Sequence, residues 1–501
     1  MKEELKLKSF IEINKYNICV FIGMFVFSLI ICTNFLRIHF ASDTYCLYSV
    51  GYHNYILHFL QSARFFSALE LWISQILDIS FLSNLKIMSF IGIILITVAW
   101  FILYKFILKL LNKEKSIYWN ILIGIITFTI LFNFSSCEMF MFAESGIMCL
   151  SILFSVIGAC IFNSNMKNRY IISFIFVFFS SIAYQATISL FVLIALVMEA
   201  YKNKGNIKKI IKEAILIGIF YGVALTLNLI LVKIIEHIQG VGMRSTTIPT
   251  TKSIIETIKK YGTFMACDTF RLFPEYLYLG MISIITIWFI FNICKNKNLF
   301  SFLEFIVLIL LAFIMPLLPV IVTPQEKQYL EPRMTFSYAS LVGVLILYIA
   351  LNFNINDFSI NRKIAMSLAV FALIINAMNF IRTSTENIVS GYLDRNVAKS
   401  ILEEIYQYQD KNNIKIENIG IAYDQNASTY YDGQPSLESS NVRSMVIDWS
   451  AIQVIEFYSG EKYNKVNTPQ EVKQEFLKYN WNFYNSKQLI FDGNTVYICL
   501  Y

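Results

Sequence analysis

Long apolar runs recur through the first 381 residues, each close to the length of a helix that crosses a bilayer. A spanning helix needs about 20 apolar residues, with about 17 to 25 tolerated. Runs of this kind fall at 18–37, 87–108, 119–136, 145–162, 210–232, 277–294, 300–322, 335–352 and 364–381. Hydrophobic residues make up 56% of the chain and charged residues 15%, against about 25% charged in an average soluble protein. A soluble globule cannot hide that much apolar surface, but a bilayer can. The basic start MKEELKLKSFIEINK leads into a run too long for a signal-peptide core and without a small-residue cleavage site, so it reads as a retained first span.

Residues 170–200 are apolar with SIAYQA in the middle. Basic residues flank both sides: Lys167 and Arg169 before, then Lys202, Lys204, Lys208, Lys209 and Lys212 after. If both flanks are cytoplasmic, the stretch must go out and return. It then forms two short helices, 167–183 and 185–201, turning at Tyr184–Gln185. That makes about eleven spans. The other proposed inner segments carry Lys2, Lys6, Lys8 and Lys15, then Lys105, Lys109, Lys113 and Lys115, then Lys295, Lys297, Arg362 and Lys363. The short outer segments near 133–145 and 182–186 have no Lys or Arg. The positive-inside rule therefore puts the N-terminus in the cytoplasm and the C-terminus outside.

The fold expected is an all-α polytopic membrane protein with a small extracytoplasmic α/β C-terminal domain. The membrane domain covers 1–381 and carries long outer loops at 38–85 and 233–276. The first loop is aromatic and amphipathic, which suggests helices lying in the interface. The second suggests a Gly/Thr/Pro loop followed by one amphipathic helix. From 382 to 501 the composition turns polar: SILEEIYQYQ and PQEVKQEFLKYNW read as helices, IENIGIAY as a strand, and QLIFDGNTVYICL as a hairpin turning at Asp492–Gly493.

The net charge of +7 comes from Lys in short loops and does not form a nucleic-acid-binding pattern. The nine cysteines form no CxxC and read as small packing residues. The four histidines lack metal-ligand spacing, so no metal and no cofactor is assigned.

Ionisable residues at membrane borders are functional candidates. Asp43, just past the first span, reads as a general base with a raised pKa or as a helix N-cap. Arg64, among aromatics in the same loop, reads as a phosphate clamp or a snorkelling anchor. Glu138 and Glu144 line a cavity or sit solvated in their loop, and Tyr184–Gln185 line a cavity or satisfy the turn. Arg333, near Lys327 and Glu331, reads as a headgroup ligand or a surface ion pair, with Arg244 and Arg271 as weaker versions. Trp449, Phe457, Tyr458 and Trp481 offer faces for sugar stacking or core packing. The first set comes from separate outer ends and would converge on one outward-facing cavity. A transporter would more often place its charges near mid-membrane, so this placement favours chemistry on a lipid-linked substrate.

The segments SDTYCLYSVGYHNYILHFLQSARFFSALELWI, SSIAYQATISLF, EPRMTFSYASLVG and IDWSAIQVIEFYSG resemble the glucosyltransferase II-like family of bacterial membrane glycosyltransferases, of the GT-C type, which includes O-antigen serotype-converting enzymes. The family usually shows an acidic pair in the first outer loop, where this chain has Ser42–Asp43. Its loop then tends to read Gly-Arg-Pro-Leu, where this chain has Ala63-Arg64-Phe65-Phe66. The resemblance implies transfer of glucose or a similar hexose from a polyprenyl-phosphate carrier to a cell-surface glycan outside the bacterial plasma membrane. It implies Asp43 as base, Arg64 and Arg333 at the leaving phosphate, and inversion at the anomeric carbon. A small flippase and a polyprenyl-phosphate sugar synthase would be its partners. A flippase or exporter of lipid-linked sugars, a surface polysaccharide polymerase and a non-catalytic scaffold are the rival readings.

Overall fold

The computed structural model describes residues 2–239, 250–296, 299–321, 323, 328–352, 360–423, 443–447, 449–479 and 484–500. The helices are α1 (Lys2–Ile31), α2 (Ser42–Gln61), α3 (Phe65–Ile76), α4 (Phe81–Leu111), α5 (Ile117–Leu131), α6 (Phe134–Met139), α7 (Ser145–Phe162), α8 (Arg169–Ala183), α9 (Ile188–Lys202), α10 (Ile207–Gln239), α11 (Thr251–Thr257), α12 (Leu277–Asn296), α13 (Leu299–Ile321), α14 (Phe336–Asn352), α15 (Ile360–Asn412), α16 (Ala451–Ser459) and α17 (Gln470–Phe476). The strands are β1 (Asn418–Tyr423), β2 (Asn464–Val466), β3 (Leu489–Asp492) and β4 (Thr495–Leu500). Among the described residues, seven helices are long and apolar enough to cross a membrane, and five further apolar helices have 10–17 residues. Four of those five, Lys15–Ile31, Ile117–Leu131, Arg169–Ala183 and Phe336–Asn352, fall on segments that the sequence marks as spans.

The chain divides into two compact units, residues 1–37 with 56–382, and residues 38–55 with 383–501. In the first unit the helices approach closely where small residues allow it. A Cβ at Gly343 of α14 would lie 2.7 Å from Ile130 Cγ1 and 2.9 Å from Ile130 N of α5. A Cβ at Gly158 of α7 would lie 3.1 Å from Val177 Cγ2 of α8.

The apolar stretch 170–200 breaks at Tyr184–Gln185, where the sequence reading put the turn. Tyr184 is extended (φ −157°, ψ 111°), and a 3-10 turn at Gln185–Thr187 leads into α9. Such a break frees backbone carbonyls that lipid cannot satisfy. Ser151 Oγ of α7 donates to Tyr184 O at 3.0 Å, and Ser155 Oγ to Thr187 O at 2.9 Å. Ser180 Oγ joins this network 2.8 Å from Ser155 Oγ. A face of α7 rich in small hydroxyls therefore tolerates the turn. In the second long loop α11 starts at a Thr250–Ser253 capping box, and the chain continues through two π-helical segments to Asp268.

The second unit carries a four-stranded sheet of order β2-β1-β4-β3, parallel at β1–β2 and β1–β4 and antiparallel at β3–β4. Asp492 pairs with Thr495, so the hairpin turns on Gly493–Asn494, one residue later than the sequence suggests, with Gly493 at φ +58°. Helix α15 runs unbroken past residue 382, where the composition changes. Its buried Asp394 carboxylate accepts from Arg443 Nε at 2.9 Å and from the Ser444 N–H at 2.7 Å. Segment 38–55 contributes Phe40 and Tyr45, which stack at 4.7 Å and pack with Phe457 and Tyr458. Phe457 and Tyr458, two of the flagged aromatics, are thus partly buried against the core. Trp449 is half exposed, and Trp481 lies outside the described residues.

Candidate active site

In the first unit the site begins at a reversal of the chain between α2 and α3. Ala63 takes a left-handed conformation (φ +60°), and the Arg64 N–H reaches back to Phe59 O at 2.9 Å. The carbonyls of this turn are held from another helix pair: Gln185 Nε2 donates to Ala63 O at 2.9 Å and to Ser62 O at 3.1 Å. Arg64 then occupies the N-cap position of α3.

From there Arg64 Nη1 meets Glu144 Oε1 at 3.1 Å, and the guanidinium lies over the Tyr184 ring, 4.9 Å from its centroid. Glu144 is the N-cap residue of α7. A second pair stands beside this one. Arg333, in the 3-10 turn Pro332–Met334, places Nη1 2.6 Å from Glu138 Oε1, and its backbone N–H donates to the other oxygen of the same carboxylate. The Arg333 guanidinium also covers the Phe142 ring at 4.3 Å. Glu138 sits in α6, whose start is held by an Asn133–Ser136 capping box.

Tyr184 connects the two pairs. Burial pushes its phenol up to about 12, Arg64 and Arg333 pull it the other way, and Glu138 raises it. Both guanidiniums therefore act on one hydroxyl, which stays protonated near neutral pH. Both acids are almost fully buried, with side chains 5% exposed at Glu144 and 2% at Glu138; the arginines keep 19% (Arg64) and 15% (Arg333). A guanidinium has five N–H donors, so one bound by a carboxylate can still take part in holding an anion.

Six of the seven residues marked in the sequence gather here: Arg64, Glu138, Glu144, Tyr184, Gln185 and Arg333. Asp43 belongs to the second unit. Helix α2 starts at Ser42, so Asp43 lies inside its first turn rather than at the cap. The Ala41 N–H is bound by Thr44 Oγ1 at 3.1 Å, and Ser42 Oγ donates to Ser444 Oγ at 3.2 Å. The Asp43 carboxylate is half-buried, and together with burial and Glu456 it raises the Cys46 thiol to about 12. Arg244, Lys327 and the Arg271 side chain lie outside the described residues.

The sequence reading missed Glu70. Its side chain is buried in α3, where Ser67, Glu70 and Ser74 share a face at helical spacing. The i, i+3, i+7 recurrence of polar residues inside an otherwise apolar helix was the available signal.

The family model of glucosyl transferase GtrII matches residues 33–350, a span that contains all seven of these residues. The chain belongs to the GtrII glucosyl transferase family. No curated protein matches it. Together with the apolar helices, membership makes this a membrane glucosyltransferase.

The turn at 63–66 shows what its two positions beside Arg64 favour. Glycine suits the left-handed position that Ala63 occupies here. Proline suits the first helical position, which here is Phe65. Ala63 and Phe65 are less suited to these positions, and Gln185 clamps the turn.

Proposed function

We propose that this membrane glucosyltransferase moves glucose or a similar hexose from a polyprenyl-phosphate carrier to a cell-surface glycan, on the outer face of the bacterial plasma membrane. In this reading the enzyme is of the GT-C type, inverts the anomeric centre, and has an extracytoplasmic C-terminal domain. A polyprenyl-phosphate sugar synthase and a small flippase supply its donor.

The observation that carries the reading is that Arg64, stacked over the Tyr184 ring, and Arg333 both act electrostatically on that buried phenol, each guanidinium held by its own carboxylate. As the acceptor oxygen forms its bond to the anomeric carbon, the bond from that carbon to the phosphate oxygen breaks. The electron pair stays on the departing lipid phosphate. Arg64 and Arg333 take up that charge through N–H donors, and the neutral Tyr184 hydroxyl adds another. Preorganised donors of this kind are each worth about 10²–10³ in rate. Asp43 accepts the proton of the acceptor hydroxyl.

The test is transfer from a synthetic polyprenyl-phosphate glucose to acceptor glycan by protein in lipid nanodiscs. Wild type should transfer, and Asp43→Asn should lose transfer while inserting and folding normally. Unchanged transfer in that variant removes Asp43 from the chemistry. Translocation of lipid-linked sugar across vesicles without any transfer would favour the flippase.

A further inference from the structure

The helix that Arg64 caps carries a second acid that the proposed reaction does not use. Glu70 is 6% exposed, and its Oε2 has no hydrogen-bond partner. Three other buried polar atoms on the same helix and its neighbours are likewise unpartnered: Ser67 Oγ on α3, Asn84 Nδ2 on α4 and Ser145 Oγ beside Glu144 on α7. Glu70 Oε1 lies 3.0 Å from Ser74 Oγ, and the same hydroxyl lies 3.1 Å from Asn84 Oδ1. One hydroxyl proton serves only one of these oxygens. A proton on Glu70 lets the Ser74 hydroxyl accept from the acid while it donates to Asn84 Oδ1.

The surroundings favour the neutral acid. A buried carboxylate with an unpartnered oxygen carries a large desolvation cost. Helix α7 adds the like charge of Glu144, while α4 offers the neutral Asn84, with its Lys86 exposed, and α8 meets α3 through rings such as Phe179 on Phe66. Arg64 heads α3 itself and is bound to Glu144. Burial, with a smaller contribution from Glu144, raises the Glu70 carboxyl to about 7 against the pull of Asn84 and Ser74.

We propose that Glu70 is a positioning residue that holds a proton on the helix that Arg64 caps, so that no second carboxylate charge adds to that of Glu144 when the donor phosphate arrives. This rests on the phosphate role given to Arg64 above. Loss of that proton adds a negative charge near the clamp and weakens phosphate binding.

The test compares wild type with Glu70→Gln in nanodiscs, using polyprenyl phosphate as the probe across a pH series. The ratio of the two affinities cancels the titration of the lipid phosphate itself. The ratio should be near one below the Glu70 midpoint. Above it Glu70→Gln should bind on the order of ten-fold more tightly, the scale of one added charge several ångströms away at an effective dielectric of about 20. In parallel, the infrared carbonyl band of a buried protonated acid should titrate away near pH 7 in wild type and be missing in Glu70→Gln. A flat affinity ratio, the lack of that band, or failure of Glu70→Gln to fold overturns the proposal, because a neutral amide mimics the protonated acid. If wild type binds no polyprenyl phosphate at any pH, the donor reading fails, and the infrared titration still decides whether Glu70 holds a proton.

Discussion

Arg64 and Glu144 are 80 positions apart in the chain, yet Nη1 of one lies 3.1 Å from Oε1 of the other. Breaking a buried pair leaves an uncompensated charge and costs roughly 3–5 kcal/mol, whereas removing both charges costs far less. Arg64 keeps 19% of its side chain exposed, so the cost belongs at the low end. Arg64→Gln and Glu144→Gln should each destabilise by about 2–3 kcal/mol, and the double variant should recover most of that loss. Thermal unfolding of the purified protein measures both.

Ala63 stands at φ +60°, a conformation that costs a non-glycine residue on the order of 1 kcal/mol. Ala63→Gly should raise stability by up to about 1 kcal/mol, and Ala63→Val should lower it, because a β-branched side chain fits that region worst. Melting temperatures of the two variants against wild type decide the matter.

Gly343 and Gly218 form a matched pair. A Cβ at Gly343 runs into Ile130, including its backbone nitrogen, while one at Gly218 meets nothing within 4 Å. Gly343→Ala should cost about 1–3 kcal/mol by overpacking. Gly218→Ala should be neutral or stabilising by up to about 1 kcal/mol, since alanine is the better helix former. Equal melting temperatures for the two variants would contradict the α5–α14 contact.

Glu70 predicts a pH dependence of stability. Its folded carboxyl sits at about 7, above the ordinary 4.5, so the folded chain binds a proton that the unfolded chain has released. Stability contributed by this group is therefore present at low pH and falls as pH rises from about 4.5 through about 7. Glu70→Gln should flatten that slope in melting curves taken across the range.

Much of the site was legible because charge is scarce in the spans. With lysines setting the sides, Arg64, Glu144, Glu138 and Arg333 stood out at proposed outer ends, and Tyr184–Gln185 stood out as the break in an apolar stretch. Which acid meets which arginine was not legible: the Glu138–Arg333 pair joins positions 195 apart, and only packing decides such a match. Glu70 was hidden because a lone acid in an amphipathic helix looks like the polar face of an interfacial element. Segment 38–55 follows the first span directly, so the sequence gives no cue that its aromatics pack with Phe457 and Tyr458. Helix α15 shows the converse, since a change from apolar to polar composition at 382 does not interrupt helical hydrogen bonding.

In the proposed reaction Arg64 and Arg333 together hold the phosphate of a lipid-linked donor. Equilibrium binding of polyprenyl phosphate to protein in nanodiscs tests it most directly, with the charge-balanced doubles Arg64→Gln/Glu144→Gln and Arg333→Gln/Glu138→Gln. Each double should keep the fold and lose about ten-fold or more in affinity, or about 1.4 kcal/mol per ten-fold. Wild-type affinity in both doubles would contradict the claim.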